Sequence, residues 1–204
     1  GSAENRKLLN CFNNAEVKDD SKSNAGCVGG VVGCILTREM KITGCMNTGP
    51  VSGKFDASDK PSTVCLGGLL GYSAISATLS DCSNSGTVTK GNAKASEIHI
   101  AGIAAYLNGD NNSVSAVTNC TNSAEGAILN EASEVSGAVY AGGIIGYHKI
   151  IGKVTGCKNK ASVVNTSKAS GNVAIGGITA RAGNGTMTDC VNEGVVKDDS
   201  ESKT

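Results

Sequence analysis

Hydrophobic and polar positions in this chain fall into two short alternating patterns that recur from end to end. The first precedes a glycine pair: Val64 and Leu66, Ile98 and Ile100, Val139 and Ala141, and Val173 and Ile175 are apolar, with one variable residue between the members of each pair. The second precedes a cysteine, as in Ile42-Thr43-Gly44-Cys45, Val154-Thr155-Gly156-Cys157 and Met187-Thr188-Asp189-Cys190. A period of two belongs to a half-buried β-strand, whose side chains alternate between faces. No stretch sustains an apolar stripe at i, i+3, i+4 with caps, so the pattern predicts strands and few helices.

Each pattern closes on its own box, and the boxes alternate. Cys-x-Asn occurs six times, at Cys11, Cys45, Cys82, Cys120, Cys157 and Cys190, with steps of 34, 37, 38, 37 and 33 residues. Between these lie Gly29-Gly30-Val31-Val32-Gly33, Gly67-Gly68-Leu69-Leu70-Gly71, Ala101-Gly102-Ile103-Ala104-Ala105, Gly142-Gly143-Ile144-Ile145-Gly146 and Gly176-Gly177-Ile178-Thr179-Ala180. Neither half of one unit could bury its apolar face alone. Stacked units bury a continuous column, which is the physical logic of a solenoid. The expectation is an all-β chain, a β-solenoid or β-helix of about five and a half repeats of roughly 36 residues. One large coil per repeat and two smaller ones both fit the spacing. Asn and Gly after each cysteine are expected to be turn residues tolerating positive φ. The polar spacers Lys54–Thr63, Lys90–Glu97, Asn108–Ser115 and Asn130–Ser136 are expected to protrude as loops.

Residues 1–204 read as one solenoid domain, with Gly1-Ser2 as an expression scar. Val17-Lys18-Asp19-Asp20-Ser21-Lys22-Ser23 nearly repeats as Val196-Lys197-Asp198-Asp199-Ser200-Glu201-Ser202, and neither end carries a polar cap. A segment of a longer chain, flanked by neighbouring domains, is the expectation.

Composition sharpens this picture. There are 28 Gly, no Trp, two Phe and four Tyr, so the interior is narrow and filled by Ile, Val, Ala and Cys. Lys+Arg and Asp+Glu are 18 each, which leaves no excess charge for a phosphate backbone or an anionic membrane surface. No apolar run approaches the ~20 residues of a membrane helix. The expectation is no nucleic-acid partner and no membrane insertion in this segment.

Gly68-Leu69-Leu70-Gly71 reads as the G-L-x-G after which GLUG repeats are named, and Gly30-Val31-Val32-Gly33 and Gly143-Ile144-Ile145-Gly146 are close variants. The Cys-x-Asn-x-Gly-x-Val ending is similar to that family's companion motif. Over its whole length the chain resembles the GLUG-motif repeat family, departing from it at Ala105 and Ala180. GLUG-like repeats belong to large secreted or surface-anchored bacterial proteins, adhesin-like proteins among them, and flank the peptidase domain of some immunoglobulin-A proteases. The resemblance implies an extracellular or cell-surface setting and a spacer or adhesive role. It brings no catalytic residue and no cofactor.

Candidate chemistry is sparse. The repeat cysteines Cys11, Cys45, Cys82, Cys120, Cys157 and Cys190 read as a structural ladder of small buried fillers. No C-x-x-C pair exists, so the zinc-ribbon signature is absent. Cys27 and Cys65 share a column with His99, Tyr140 and Ala174 that strand alternation points away from the core. A Cys27–Cys65 disulfide and two free thiols are both open. After the glycine box stand Cys34, Tyr72, Tyr106, Tyr147 and Arg181; Tyr72, Tyr106 and Tyr147 form a tyrosine row that could bind sugar or peptide by stacking, or could cover a coil edge. His99 and His148 are the only histidines, and neither lies in a metalloprotease frame. The acids Asp19-Asp20, Asp198-Asp199, Glu131 and Glu134 read as solvated loop charge rather than facing carboxylates. The leading expectation is a non-enzymatic extracellular repeat module contacting a host glycan or protein surface. Alternatives are a carbohydrate-binding module on the tyrosine row, which requires exposed coplanar rings, and an accessory domain of a secreted peptidase or glycan-degrading enzyme.

Overall fold

A computed structural model describes residues 6–23, 25–55, 63–109, 114–149 and 152–200. Among them every regular element is a strand, and none is a helix. The strands build five parallel sheets, three of six strands and two of five. The first coil runs through Arg6–Leu9, Phe12–Asn13, Val17–Asp19, Ala25–Gly29 and Val32–Ile35, which define five strand positions. Four more complete coils follow, and Gly185–Thr188, Val191–Asn192 and Val196–Asp198 supply three positions of a sixth. The protein is a β-solenoid.

Register settles the size of a coil. Leu8 pairs with Ile42 and Ile42 with Leu79, each one full repeat apart. One repeat is therefore one large coil. The turn between the first and second positions is made by the residue before each cysteine, where φ is positive: Asn10, Gly44, Asp81, Asn119, Gly156 and Asp189. This corrects the expectation that the asparagine after the cysteine takes that conformation. Gly, Asn and Asp are the residues that tolerate it at least cost, which explains the identity of the position.

Two apolar columns run side by side along the stack. One contains Ile42, Leu79, Val117 and Val154 of the first position, Leu70, Ala104 and Ile145 of the fifth, and the cysteines Cys45, Cys82, Cys120 and Cys157. The other contains Val51, Val88, Ile128 and Val163 of the third position against Val64, Leu66, Ile98, Ile100, Val139 and Ala141 of the fourth. Each fully buried Val, Leu or Ile contributes about 1.5–3 kcal/mol, so the stack draws its stability from many small equal increments.

The spacers Lys90–Glu97 and Asn130–Ser136 do not simply protrude. Ala93, Ala95, Ala132 and Val135 are buried, and Val135 bridges to both Ala95 and Ala169. Their small apolar residues tuck under the third position and extend the second column, which a reading by polarity misses. In the spacers Lys54–Thr63 and Asn108–Ser115, residues 56–62 and 110–113 lie outside the described residues.

The asparagines of the Cys-x-Asn boxes form the axis of the stack. Each side-chain amide donates to the oxygen of the next: Asn13 to Asn47 at 2.7 Å, Asn47 to Asn84 at 2.8 Å, Asn84 to Asn122 at 2.9 Å, Asn122 to Asn159 at 3.0 Å and Asn159 to Asn192 at 2.8 Å. The second amide proton goes to a backbone carbonyl shortly after, for instance Gly86 at 2.8 Å from Asn84. A Cβ on Gly68 would overlap the Asn84 side chain and the Gly102 carbonyl. The second glycine of each box is thus the seat of the asparagine that follows it in the next coil, which is why the two boxes travel together.

Candidate functional site: an aromatic cleft between two strands of each coil

The glycine box joins the fourth and fifth strand positions and carries the chain from one apolar column to the other. The fourth strand turns Val64 and Leu66 to one column, while Leu70 of the fifth joins the other. The faces left over look at each other. In the fifth strand Leu70 and Ser73 are both buried, with Gly71 and Tyr72 between them, so alternation skips a residue there and aims Tyr72 into the gap. A Cβ on Gly71 would stand 2.7 Å from the Val28 carbonyl oxygen and 2.8 Å from its nitrogen, so the glycine lets the two strands close on each other.

The cleft is lined by the two columns that vary most among coils. Cys27, Cys65, His99, Tyr140 and Ala174 come from the fourth strands, in register. Cys34, Tyr72, Tyr106, Tyr147 and Arg181 come from the fifth. Alternation predicts that the first column points outward. Instead Cys65, His99 and Tyr140 are buried, because the fifth strand of the same coil and its neighbours cover them. Alternation separates the core face from the opposite face, but it does not say that the opposite face is open.

His99 is the centre of the cleft and is fully buried. Its ring stacks on Tyr106 at 4.5 Å, on Tyr140 at 5.2 Å and on Tyr147 at 5.7 Å between centroids. Nε2 lies 3.3 Å from Glu97 Oε1, within ion-pair range but misaligned for a hydrogen bond, and neither ring nitrogen has another partner among the described residues. The contact with His99 holds the Glu97 carboxyl below its ordinary range, against a partial burial that raises it. At the far end Arg181 lies over the rings of Tyr140 and Tyr147 at 5.2 and 4.8 Å, and its guanidinium donates to the Tyr140 hydroxyl.

The three predicted tyrosines are brought together, in a geometry unlike a flat platform. Tyr106 and Tyr147 stack at 5.1 Å with 15° between planes, and Tyr72 meets Tyr106 edge-on at 5.2 Å and 65°. All three are half-buried. Their faces are used against each other and against His99, leaving edges and hydroxyls at the mouth. Burial, reinforced by Tyr147 and Tyr72, pushes the Tyr106 hydroxyl up to about 12. Sequence reasoning placed His99, Tyr140 and Arg181 in their columns but not in one cluster; Glu97 carried no signal at all.

At the N-terminal end of the cleft the aromatics give way to thiols. Cys27 is the register partner of Cys65, and Cys34 that of Tyr72. All are free thiols, as are the ladder cysteines, of which Cys45, Cys82, Cys120 and Cys157 are buried and Cys11 and Cys190 half-buried. Burial keeps Cys45 and Cys190 above the ordinary thiol range.

A separate groove of about 470 Å³ crosses the outer face of the third strand positions, lined by Lys18, Asp20, Lys22, Ser52, Lys54 and Thr89 among others. Lys18 Nζ bridges Asp20 at 2.7 Å. Among the described residues no group of three His, Cys, Asp or Glu is placed to hold a metal ion.

A family model, the GLUG motif, matches residues 62–89. That span carries one glycine box and one Cys-x-Asn box; it covers the fourth and fifth strands of the second coil and the first two of the third, and enters the next strand. Neither the curated proteins nor the solved structures include a significant match to the chain. The chain is a β-solenoid repeat module carrying the GLUG motif at residues 62–89.

Proposed function

We propose that this chain is a non-enzymatic, extracellular surface-presenting module of an adhesin-like bacterial protein, and that it binds through its lateral faces rather than serving as a length spacer. The observation that carries this reading is the size of the coil. Each repeat, some 33 to 38 residues apart in register, advances the stack by one strand spacing of about 4.8 Å. Six stacked strands therefore span only about 24 Å. A chain selected for reach would not spend so many residues on so little length. What the stack makes in quantity is broad, rigid lateral surface, held in register by the asparagine ladder.

Among those surfaces the third-strand groove is the best supported contact. Lys18, Lys22 and Lys54 outnumber Asp20 there, which favours an acidic glycan or an acidic protein patch. The tyrosine row is a weaker candidate for sugar stacking, because its ring faces are occupied. A glycan-array and host-glycoprotein binding screen would test the reading, run on the protein beside a Lys22→Glu/Lys54→Glu variant and a Tyr72→Ala variant. Binding that fails only in the lysine variant supports the groove. Loss in Tyr72→Ala alone moves recognition to the cleft, and silence in every arm removes the binding role.

A further inference from the structure

The thiol end of the cleft brings three cysteines together, one of them exposed. Cys27 is half-buried, with Cys65 beside it on the neighbouring coil and Cys34 facing it across the cleft. The facing positions are in direct contact in the third coil, where their occupants His99 and Tyr106 stack at 4.5 Å. Cys65 on the neighbouring coil and Cys34 on the facing strand are the two thiols whose proximity favours the Cys27 thiolate. Cys34 is exposed, so the cluster opens to solvent, whereas Cys82 and Cys157 of the ladder have 1 % exposure.

We infer that Cys27, Cys34 and Cys65 form a thiol–disulfide exchange site for low-molecular-weight disulfides, with Cys27 as the attacking thiol and Cys34 as the resolving one. Cys27 thiolate attacks one sulfur of the external disulfide; that S–S bond breaks, a mixed disulfide forms on Cys27, and the other half leaves as a thiolate. Cys34 then gives its proton to water and attacks the Cys27 sulfur, displacing the second half. Two protein thiols are oxidised to one disulfide, and one external disulfide is reduced to two thiols.

Electrostatics fit these roles. The Cys65 hydrogen bond, and to a lesser degree that of Cys34, holds Cys27 at about 7 against burial. Burial and the charge on Cys27 push Cys34 up to about 11. Once Cys27 is capped that charge is gone, so Cys34 becomes easier to ionise when its turn comes. Cys65 remains the donor: its bond to Cys27 and its burial keep it a thiol. Cys65 is buried whereas Cys34 is exposed, so the departing half of the external disulfide leaves on the Cys34 side.

The site is independent of what the lateral face binds, and the test is separate. The folded protein is mixed with 2-hydroxyethyl disulfide and followed by intact-mass spectrometry and peptide mapping across pH. A fast phase with a midpoint near 7 is expected, ending in a Cys27–Cys34 disulfide. At pH 7 a thiol ionising at 7 instead of the usual 9.0 gains about 50-fold in thiolate and loses about 8-fold in nucleophilicity, a net rate gain of roughly sixfold. Cys34→Ser should stop at the mixed disulfide on Cys27, and Cys27→Ser, checked for fold by circular dichroism, should lose the fast phase. A fast phase that survives Cys27→Ser, a Cys27–Cys65 product, or a midpoint near 9 would overturn the assignment.

Discussion

Replacing Asn84 by Ala should cut the stack at its middle. Asn84 is fully buried; its amide donates to Gly86 O at 2.8 Å and to Asn122 Oδ1 at 2.9 Å, and its oxygen accepts from Asn47 at 2.8 Å. The truncation strands two acceptors, Asn122 Oδ1 and the Gly86 carbonyl, away from water. Asn47 keeps its second acceptor, Gly49 O, at 2.7 Å. At about 1–3 kcal/mol for each stranded buried group, the loss is about 4 kcal/mol. For a chain of this size that lowers the melting temperature by roughly 8–16 °C. Asn192 does the same job at the exposed end of the ladder, where water replaces what is lost, and Asn192→Ala should cost under about 1 kcal/mol.

Thermal and urea unfolding of both variants measure the difference. Asn84→Asp supplies a second readout at constant shape. A carboxylate accepts but cannot donate, so it would face Asn122 Oδ1 and Gly86 O with no proton between them. Its folded pKa is then raised above the unfolded value. The variant is worst at neutral pH, and its deficit shrinks as pH falls through the raised value and the acid regains a proton. Equal losses at Asn84 and Asn192, or an Asn84→Asp deficit that does not change with pH, would refute the view that the ladder holds the coils together.

Gly71→Ala should destabilise by about 1–3 kcal/mol, because its Cβ would press on the backbone of Val28 at 2.7–2.8 Å, whereas Gly33→Ala, whose nearest contact is Cys27 O at 3.0 Å, should cost less; urea midpoints compare them. Asp198 is partly buried, which raises its pKa, yet hydrogen bonds from Asn165 and Ser200 outweigh this and leave it below 3.8. Its contribution is therefore present above that value and is lost as pH falls through the lower folded pKa; Asp198→Asn should remove this part of the acid sensitivity, read from melting temperatures between pH 2 and pH 6. Tyr106→Phe should delete a tyrosinate absorbance step near pH 12, as followed by ultraviolet titration.

The coil itself was legible because its causes are local. Period-two apolar residues fix which strand faces inward, and the cysteine spacing is the register, since Cys45 lies one coil from Cys82 as Ile42 does from Leu79. The role of the asparagines was not legible. An Asn followed by Gly is a good turn signal, and only the stacking of copies turns it into a buried ladder whose seat is a glycine some 16 residues earlier, Gly68 for Asn84. The cleft was hidden for a similar reason. Whether His99 points to water depends on how sharply the glycine box folds the fifth strand back over it, a tertiary angle with no signature of its own.

The same geometry explains where chemistry can collect in such a molecule. A column on the axis, such as Asn13 to Asn192, must repeat because each member is the partner of the next; one change strands two neighbours. The cleft columns carry no such demand. Their occupants are Cys, Cys, His, Tyr and Ala on one side and Cys, Tyr, Tyr, Tyr and Arg on the other, in contact but not in a shared hydrogen-bond chain. Freed from repetition, they hold the His99 contact with Glu97, the two cation–π contacts of Arg181 and the one open group of thiols among the described residues. The solenoid thus divides its positions into those that hold the coil and those that can differ from coil to coil. Any recognition or reactivity special to this chain is to be sought where its repeats disagree.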